Sequence, residues 1–186
     1  MRVVAGSAGG IPLQAPRNDI RPTMDRVKAA IFSSLGEKIL NARVLDLFAG
    51  CGALGIEALS RGCASATFVE SNPQSVGAIE RNLAKTKLEG VIHEMDAFRF
   101  LDRVATPCAY DVIFADPPYA KSKGGRDFTS ELLHSGPLHS ALAEHGIFVL
   151  EKMPNSKMDA GAGWECVRAK KYGSTEVVFL RSNAVS

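Results

Sequence analysis

Short apolar runs alternate with stretches of helical periodicity along most of the chain after Arg43. This alternation is typical of a parallel sheet whose two faces are both covered by helices. The strand-like runs are 44–48, 66–70, 91–94, 110–115 and 146–150. The helical stretches between them are 54–60, 73–85 and 97–104. We therefore expect an α/β fold with a mostly parallel central sheet and helices on both faces.

The residues before this core predict a small hairpin and one helix. Runs 2–5 and 11–13 are β-like and flank the turn-forming pair Gly9-Gly10. Thr23 can cap the helix that follows. One face of that helix is apolar and consists of Val27, Ala30, Ile31 and Leu35.

The C-terminal end predicts a second hairpin. Runs 166–170 and 176–180 have strand character, and Gly173 lies in the turn between them. The chain of 186 residues is long enough for one well-buried domain and too short for two large ones. We expect an N-terminal hairpin and helix extension over residues 1–40 and a core domain over residues 41–186.

A glycine-containing loop directly follows the first predicted strand, in the sequence DLFAGCGALG of residues 46–55. Gly50 and Gly52 let the backbone turn tightly and approach a ligand, and the amides at the start of the next helix favour a carboxylate or a phosphate. Glu70 ends the second strand about 20 residues later, where dinucleotide-binding folds hold the ribose hydroxyls. The loop therefore predicts a nucleotide-like cofactor in a Rossmann-like fold, without deciding which cofactor.

Asp96 follows the third predicted strand and precedes the helix that begins near Ala97. Its carboxylate can reach the amino group of a cofactor adenine, or it can cap the helix. The sequence leaves both interpretations open.

The segment Asp116-Pro117-Pro118-Tyr119 follows the fourth predicted strand, at the sheet edge where open α/β folds bind ligands. The two prolines remove two N–H donors, which leaves carbonyl oxygens and the Asp116 carboxylate as a cluster of acceptors. Such a cluster suits the NH₂ group of a nucleic-acid base, and Tyr119 can stack on that base once the base has left its helix. These four residues are the candidate catalytic residues.

The formal net charge of +2 excludes a polycation that binds nucleic acid indiscriminately. The charge is uneven, because the chain up to Arg43 carries seven basic side chains and three acidic ones. A solvated basic face and an RNA-binding arm both explain this excess. Any contact with a polynucleotide must be local.

The cysteines and histidines show no spacing typical of a metal site, and we expect none. No segment approaches the run of about 20 apolar residues that a transmembrane helix needs, and the N-terminus has no signal-peptide pattern. We expect a cytoplasmic protein with no membrane contact.

Two motifs in this order, VLDLFAGCGALG at 44–55 and DPPY at 116–119, resemble the class I S-adenosylmethionine-dependent amino-methyltransferases. The segment RPTMDRVK at 21–28 is similar to the bacterial members that methylate the N2 amine of a guanine in 16S ribosomal RNA. The opening MRVVAG and the closing KYGST also resemble that family, so the resemblance spans nearly the whole chain. Residues 151–154 depart from the family's usual sequence after the fifth strand.

The resemblance implies a class I methyltransferase fold and a set of cofactor contacts. Asp46, Gly50 and Gly52 would line the methionine part of S-adenosylmethionine, Glu70 its ribose, and Asp96 and Ala97 its adenine. Phe48 and Ser71 complete the implied cofactor contacts. Residues 116–119 would hold the target guanine.

The resemblance also implies a function for the basic extension, which would dock on the phosphates of 16S rRNA or of an assembling small subunit. The candidates are Arg17, Arg21, Arg26 and Lys28. We expect the enzyme to be a monomer.

Three other functions remain possible at this point. A DNA adenine-N6 methyltransferase would use the same acceptor cluster, although the N-terminal motif argues against it. A nicotinamide-dependent oxidoreductase would explain the glycine spacing and Glu70 but not the segment 116–119. A non-catalytic RNA-binding module would have no use for the acceptor cluster.

Overall fold

A computed structural model describes residues 1–15, 24–118, 125–154, 156 and 163–183. The helices are α1 (Met24–Leu35), α2 (Ala53–Ser60), α3 (Pro73–Thr86), α4 (Ala97–Arg103), α5 (Phe128–Leu133) and α6 (Gly136–Ala141), with a 3₁₀ turn at Gly36–Ile39. The strands are β1 (Arg43–Leu47), β2 (Ser65–Glu70), β3 (Val91–Glu94), β4 (Tyr110–Ala115), β5 (Leu142–Lys152), β6 (Trp164–Tyr172) and β7 (Thr175–Ser182). The expected helix cap Thr23 lies outside the described residues.

The strands form one sheet in the order β3-β2-β1-β4-β5-β7-β6. The first five strands in this order are parallel to one another, and β7 is antiparallel to both β5 and β6. The predicted α/β architecture and the C-terminal hairpin are confirmed.

Two of the observed strands extend beyond their apolar runs. β5 begins at Leu142 rather than at residue 146. The apolar run does not include its first residues because Glu144 and His145 are exposed, and a register shift interrupts the pairing of this part with β4. β6 is an edge strand with mostly exposed side chains, so hydrophobicity predicts only part of its length.

The two faces of the sheet bury separate hydrophobic clusters. Val112 and Phe114 of β4 point to one face, with α1, α2 and α3, whereas Ile113 and Ala115 point to the other, with α4, α5 and α6. The described helices include none with the length and apolar character that crossing a bilayer requires.

The N-terminal extension packs into the first of these clusters. Its hairpin consists of a single antiparallel bridge between Arg2 and Pro12. Val3 of this hairpin and Ile31 of α1 are buried in the same cluster as Phe114 of the sheet. The described part of the extension therefore has no hydrophobic core of its own.

Glu57 of α2 anchors the extension to the core. Its buried carboxylate accepts hydrogen bonds from the amides of Val4, at 2.6 Å, and Ala5, at 3.0 Å. It also pairs with Arg61 at 2.7 Å and with Lys28 of α1 at 3.3 Å. The buried charge is thus surrounded by donors from three segments of the chain, as a buried carboxylate requires.

Lys28 is buried in this structure, and its expected contact with RNA stays a prediction. Its side chain is only 3% exposed, and its ammonium group binds Glu57 and donates a hydrogen bond to the Arg2 carbonyl. Reaching a phosphate would require breaking a buried ion pair, which is strongly unfavourable. Lys28 instead connects α1 to α2.

Gly55 allows α2 to pack closely on β2. A Cβ atom added at Gly55 would lie 2.3 Å from Cε1 of Phe68, whose ring is fully buried in the first cluster. The helix that follows the glycine loop can therefore approach the sheet only with glycine at this position.

We predict that Gly55→Ala destabilises the fold by about 1–3 kcal/mol, because the new methyl group overpacks a rigid core. Chemical unfolding followed by circular dichroism measures the effect. Gly136→Ala is the matched control, since a Cβ there would meet no atom within 4 Å. Equal stabilities of the two variants would contradict this account of the packing.

Candidate active site

The carboxyl ends of β1, β2, β4 and β5 lie at one edge of the sheet, because these strands are parallel. This edge carries the glycine loop after β1, Glu70 at the end of β2 and Asp116 after β4. Asp46 of β1 interacts electrostatically with both Glu70 and Asp116. The structure thus brings the glycine loop and the first residue of the acceptor segment together.

The glycine loop has a strained backbone that Glu70 holds in place. Phe48, Gly50 and Gly52 have φ angles of 58°, 55° and 79°, and a positive φ is uncommon for a phenylalanine. Glu70 accepts hydrogen bonds from the Gly50 amide and from the Asn72 amide, both at 2.8 Å. Its carboxylate therefore fixes the loop against the end of β2, and it keeps lone pairs for further donors.

Gly50 and Gly52 have different surroundings. A Cβ atom at Gly50 would meet nothing within 4 Å, so the Gly50 backbone borders open space that a ligand can occupy. A Cβ atom at Gly52 would lie 3.2–3.3 Å from Ile56, Ile79 and Phe68, so Gly52 faces the core. Gly52 forms the turn and packs against the core, and its contact with a cofactor stays a prediction.

Asp46 lies beneath the loop. Its side chain is 2% exposed, and Oδ2 accepts a hydrogen bond from the Gly55 amide at 2.9 Å, in the first turn of α2. The pKa of Asp46 is raised to about 8, mainly by burial and also by the nearby charges of Asp116 and Glu70, whereas the Gly55 hydrogen bond lowers it. Asp46 therefore supports the loop from inside, and its direct contact with a cofactor stays a prediction.

Asp96 caps α4. Its Oδ1 accepts hydrogen bonds from the Phe98 and Arg99 amides, both at 3.0 Å, which satisfies two amides at the helix start. Of the two interpretations left open, the structure shows the cap, and an adenine contact stays a prediction. Ala97 is buried next to it, and Ser71 is exposed after the end of β2.

Three phenylalanines form a cluster in which only Phe48 was an expected site residue. The ring of Phe48 lies 6.3 Å from that of Phe98 and 5.7 Å from that of Phe128, centroid to centroid. Arg126 lies 4.7 Å over both Phe98 and Phe128, and it interacts electrostatically with Asp96. All three phenylalanines follow the carboxyl ends of strands, and this shared position could have identified Phe98 and Phe128 from the sequence.

Asp116 lines a small, partly open cleft with a cavity volume of about 40 Å³. Asp116 is half-buried and Pro117 buried, whereas Pro118 is exposed. The extension contributes Met1, Val27, Lys28 and Ile31, α2 contributes Ala53 and Leu54, and β5 contributes Glu151. The sequence alone indicates no function for the β5 end or for Met1, because the segments that form the cleft are far apart in the chain.

The remaining predicted site residues are basic residues of the extension and Tyr119. Arg26 is exposed on α1 and accessible to a partner, unlike Lys28. Arg17, Arg21 and Tyr119 lie outside the described residues. Among the residues that the structure does describe, no group of three or more His, Cys, Asp or Glu side chains could hold a metal ion.

Comparison with known proteins identifies the family. The model of the family described as conserved hypothetical protein 95 matches residues 1–181. Ribosomal RNA small subunit methyltransferase D of Escherichia coli K12 is 34% identical over 176 residues, which cover 93% of this chain and 85% of that protein. The chain belongs to the family of ribosomal RNA small subunit methyltransferase D. The family resemblance inferred from the motifs is confirmed.

Solved structures agree with membership of the methyltransferase D family. The Escherichia coli protein yhhF has a TM-score of 0.81 at 32% identity, covering 99% of this chain and 98% of that chain. The Thermus thermophilus 16S rRNA N2 G1207 methyltransferase, solved with AdoMet and guanosine, has a TM-score of 0.71 at 21% identity, covering 89% of this chain and 44% of that chain. The expected class I methyltransferase fold is confirmed.

The raised pKa of Asp46 predicts how the stability of this methyltransferase D family member depends on pH. The folded protein keeps a proton on Asp46 between the ordinary pKa of 3.8 and about 8, whereas the unfolded chain releases it. This group therefore lowers the free energy of unfolding as the pH rises through that range, by up to about 1.4 kcal/mol per pH unit. Asp46→Asn should remove this slope, because asparagine does not titrate. Its amide oxygen can still accept the hydrogen bond from the Gly55 amide, so the support of the loop is kept.

Urea unfolding at a series of pH values between about 5 and 8 measures the slope. The matched control is Asp102→Asn, at an exposed position of α4, which should keep the slope of the wild type. An Asp46→Asn variant whose stability follows the wild-type pH dependence would show that Asp46 is ionised in the folded protein.

Proposed function

We propose that this protein transfers a methyl group from S-adenosylmethionine to the exocyclic N2 amine of a guanine in 16S ribosomal RNA. Membership of the methyltransferase D family and the class I fold support the reaction class. The observation that carries the proposal is the single sheet edge where the open backbone at Gly50 and the acceptor Asp116 lie together. The cofactor and the target amine would meet there.

The residues of this edge fit the cofactor. The open space beside Gly50 admits the amino acid part without a Cβ in the way. Glu70 can accept hydrogen bonds from ribose hydroxyls while it keeps its two bonds to amides. The cluster of Phe48, Phe98 and Phe128 offers an aromatic surface next to Asp96 for the adenine.

S-adenosylmethionine, when bound, supplies a methyl group on a positively charged sulfur. Asp116 and the Pro117 carbonyl would accept the hydrogens of the guanine amine and orient the nitrogen lone pair toward that methyl. A carbon–nitrogen bond forms as the carbon–sulfur bond breaks, and the nitrogen then loses one proton, which a carboxylate such as Asp116 can accept. The products are N2-methylguanine and S-adenosylhomocysteine.

The basic extension would position the RNA. Arg26 is exposed on α1, the helix that forms one wall of the cleft through Val27 and Ile31. A phosphate bound by Arg26 would therefore lie near the entrance to the base pocket. We also propose that a monomer acts on small-subunit rRNA in the cytoplasm.

Transfer of a labelled methyl group tests the proposal. The purified protein is incubated with labelled S-adenosylmethionine and small-subunit rRNA, either naked or assembled with ribosomal proteins, and the nucleosides are then identified by mass spectrometry. The expected product is N2-methylguanosine. Label found only in N6-methyladenine of added DNA would contradict the proposal, as would binding of NAD without binding of S-adenosylmethionine.

Substitution of Asp116 separates cofactor binding from turnover. We predict that Asp116→Ala lowers kcat by about 100-fold or more, because an acceptor aimed at the reacting amine is lost. Asp116→Asn should lose less, since it keeps one acceptor oxygen. The affinity for S-adenosylmethionine, measured by calorimetry, should change by less than about 3-fold.

Asp102→Ala, at an exposed position of α4, is the matched control and should behave like the wild type. If Asp116→Ala keeps full turnover, Asp116 does not hold the reacting amine.

A further inference from the structure

The end of β5 places a second carboxylate beside Asp116. In the register of the sheet, Phe114 pairs with Val149 and Ala115 with Leu150. The next positions along the two strands are Asp116 and Glu151, and neighbouring strands lie about 4.8 Å apart. The backbones that carry these two carboxylates are therefore neighbours.

Both side chains point to the same face of the sheet. Side chains alternate along a strand, and Val149 is buried on the face that packs against α1 and α2. Glu151, two residues further, points to that face as well, and it lines the same cleft as Asp116. Its neighbour Lys152 is buried and binds Glu176 of β7 at 2.7 Å, which fixes the end of the strand.

The rest of the cleft is largely apolar. Its walls include Val27 and Ile31 of α1 and Leu54 of α2, and the one cationic side chain among the described lining residues, Lys28, is paired with Glu57. A small, open apolar cleft with polar groups at one end can receive the polar edge of a flat aromatic base. Here the polar groups at the strand ends are two carboxylates, which only accept hydrogen bonds when ionised.

The two purine bases differ in what they present to such a pair. The Watson–Crick edge of guanine carries two adjacent donors, the N1–H group and the N2 amine, so it can satisfy two carboxylates at once. Adenine carries one amine donor and an acceptor at N1, which a carboxylate repels. A flipped base is identified through this edge.

We propose that Glu151 is a specificity-determining residue that accepts the N1–H of the target guanine while Asp116 holds its N2 amine. This inference rests on the proposed function, and it explains why a pocket built to accept an amine would take guanine and not adenine. Asp116 alone cannot make that distinction, since both bases have an exocyclic amine. Glu151 thus selects the base, and the segment that begins with Asp116 holds the reacting group.

An analogue of guanine, compared between the wild type and Glu151 variants, tests the N1 contact. The nucleotide that the wild-type protein methylates is replaced in the rRNA by 2-aminopurine, which keeps the N2 amine but has an acceptor at N1. The wild-type protein should prefer guanine by a kcat/KM ratio of about 100 or more, because the analogue leaves a carboxylate facing a lone pair.

Glu151→Gln should lower this preference by about 10-fold or more, since the glutamine amide can donate to N1 of the analogue. Glu151→Asp keeps a carboxylate and should keep the preference, even at a lower rate. Glu144→Gln, at an exposed position of the same strand, is the matched control and should leave the ratio unchanged. Calorimetry with S-adenosylmethionine checks that each variant remains folded and binds the cofactor.

The outcomes separate this assignment from the function on which it rests. A wild-type protein that produces no N2-methylguanosine would overturn the proposed function and the assignment with it. An active wild-type protein whose Glu151→Gln variant loses the same factor on guanine and on 2-aminopurine would overturn the assignment alone. A lower preference in Glu151→Gln together with an unchanged one in Glu151→Asp would support it.

Discussion

The parallel pairing of β1, β4 and β5 is the constraint on which the site depends. Parallel strands end at the same edge, and their in-register pairing aligns Asp46 with Phe114 and Phe114 with Val149. Because side chains alternate along each strand, this register also decides which residues share a face. The acidic side chains at the edge are therefore neighbours even though they are far apart in the sequence.

The same edge carries three carboxylates, those of Asp46, Glu70 and Asp116, and their surroundings differ. Asp46 is buried and has a pKa raised to about 8, so at neutral pH its neutral form predominates and limits repulsion with the other two. Glu70 accepts two amide hydrogen bonds and fixes the glycine loop. Asp116 is half-buried and lines the cleft. In the proposed reaction, such an edge favours a cationic sulfur and the donors of a guanine.

Local signals in the sequence predict much of the fold. The apolar runs give the parallel strands, and the positions of Gly50 and Asp116 follow from the strand ends that precede them. Asp96 could be predicted as a helix cap because its amide partners are two and three residues away. The longer β5 was not predicted, since its first part is polar and exposed.

Features that depend on distant partners were not predictable from one sequence. The burial of Lys28 requires Glu57, which lies on another helix, and a lysine in a basic segment gives no sign of it. Gly52 has the same spacing signal as Gly50, but only the structure shows that it faces Phe68 in the core. The phenylalanine cluster at Phe48 and the neighbour relation of Asp116 and Glu151 both depend on the sheet register.

The central claim is that the cofactor and the target base meet at this one edge of the sheet. A crystal structure of the protein with S-adenosylhomocysteine tests it most directly. The account predicts that the amino acid part of the ligand lies against Gly50, that its ribose hydroxyls contact Glu70, and that its sulfur points into the cleft lined by Asp116. A ligand bound away from this edge of the sheet, or with its sulfur directed away from Asp116, would contradict the account.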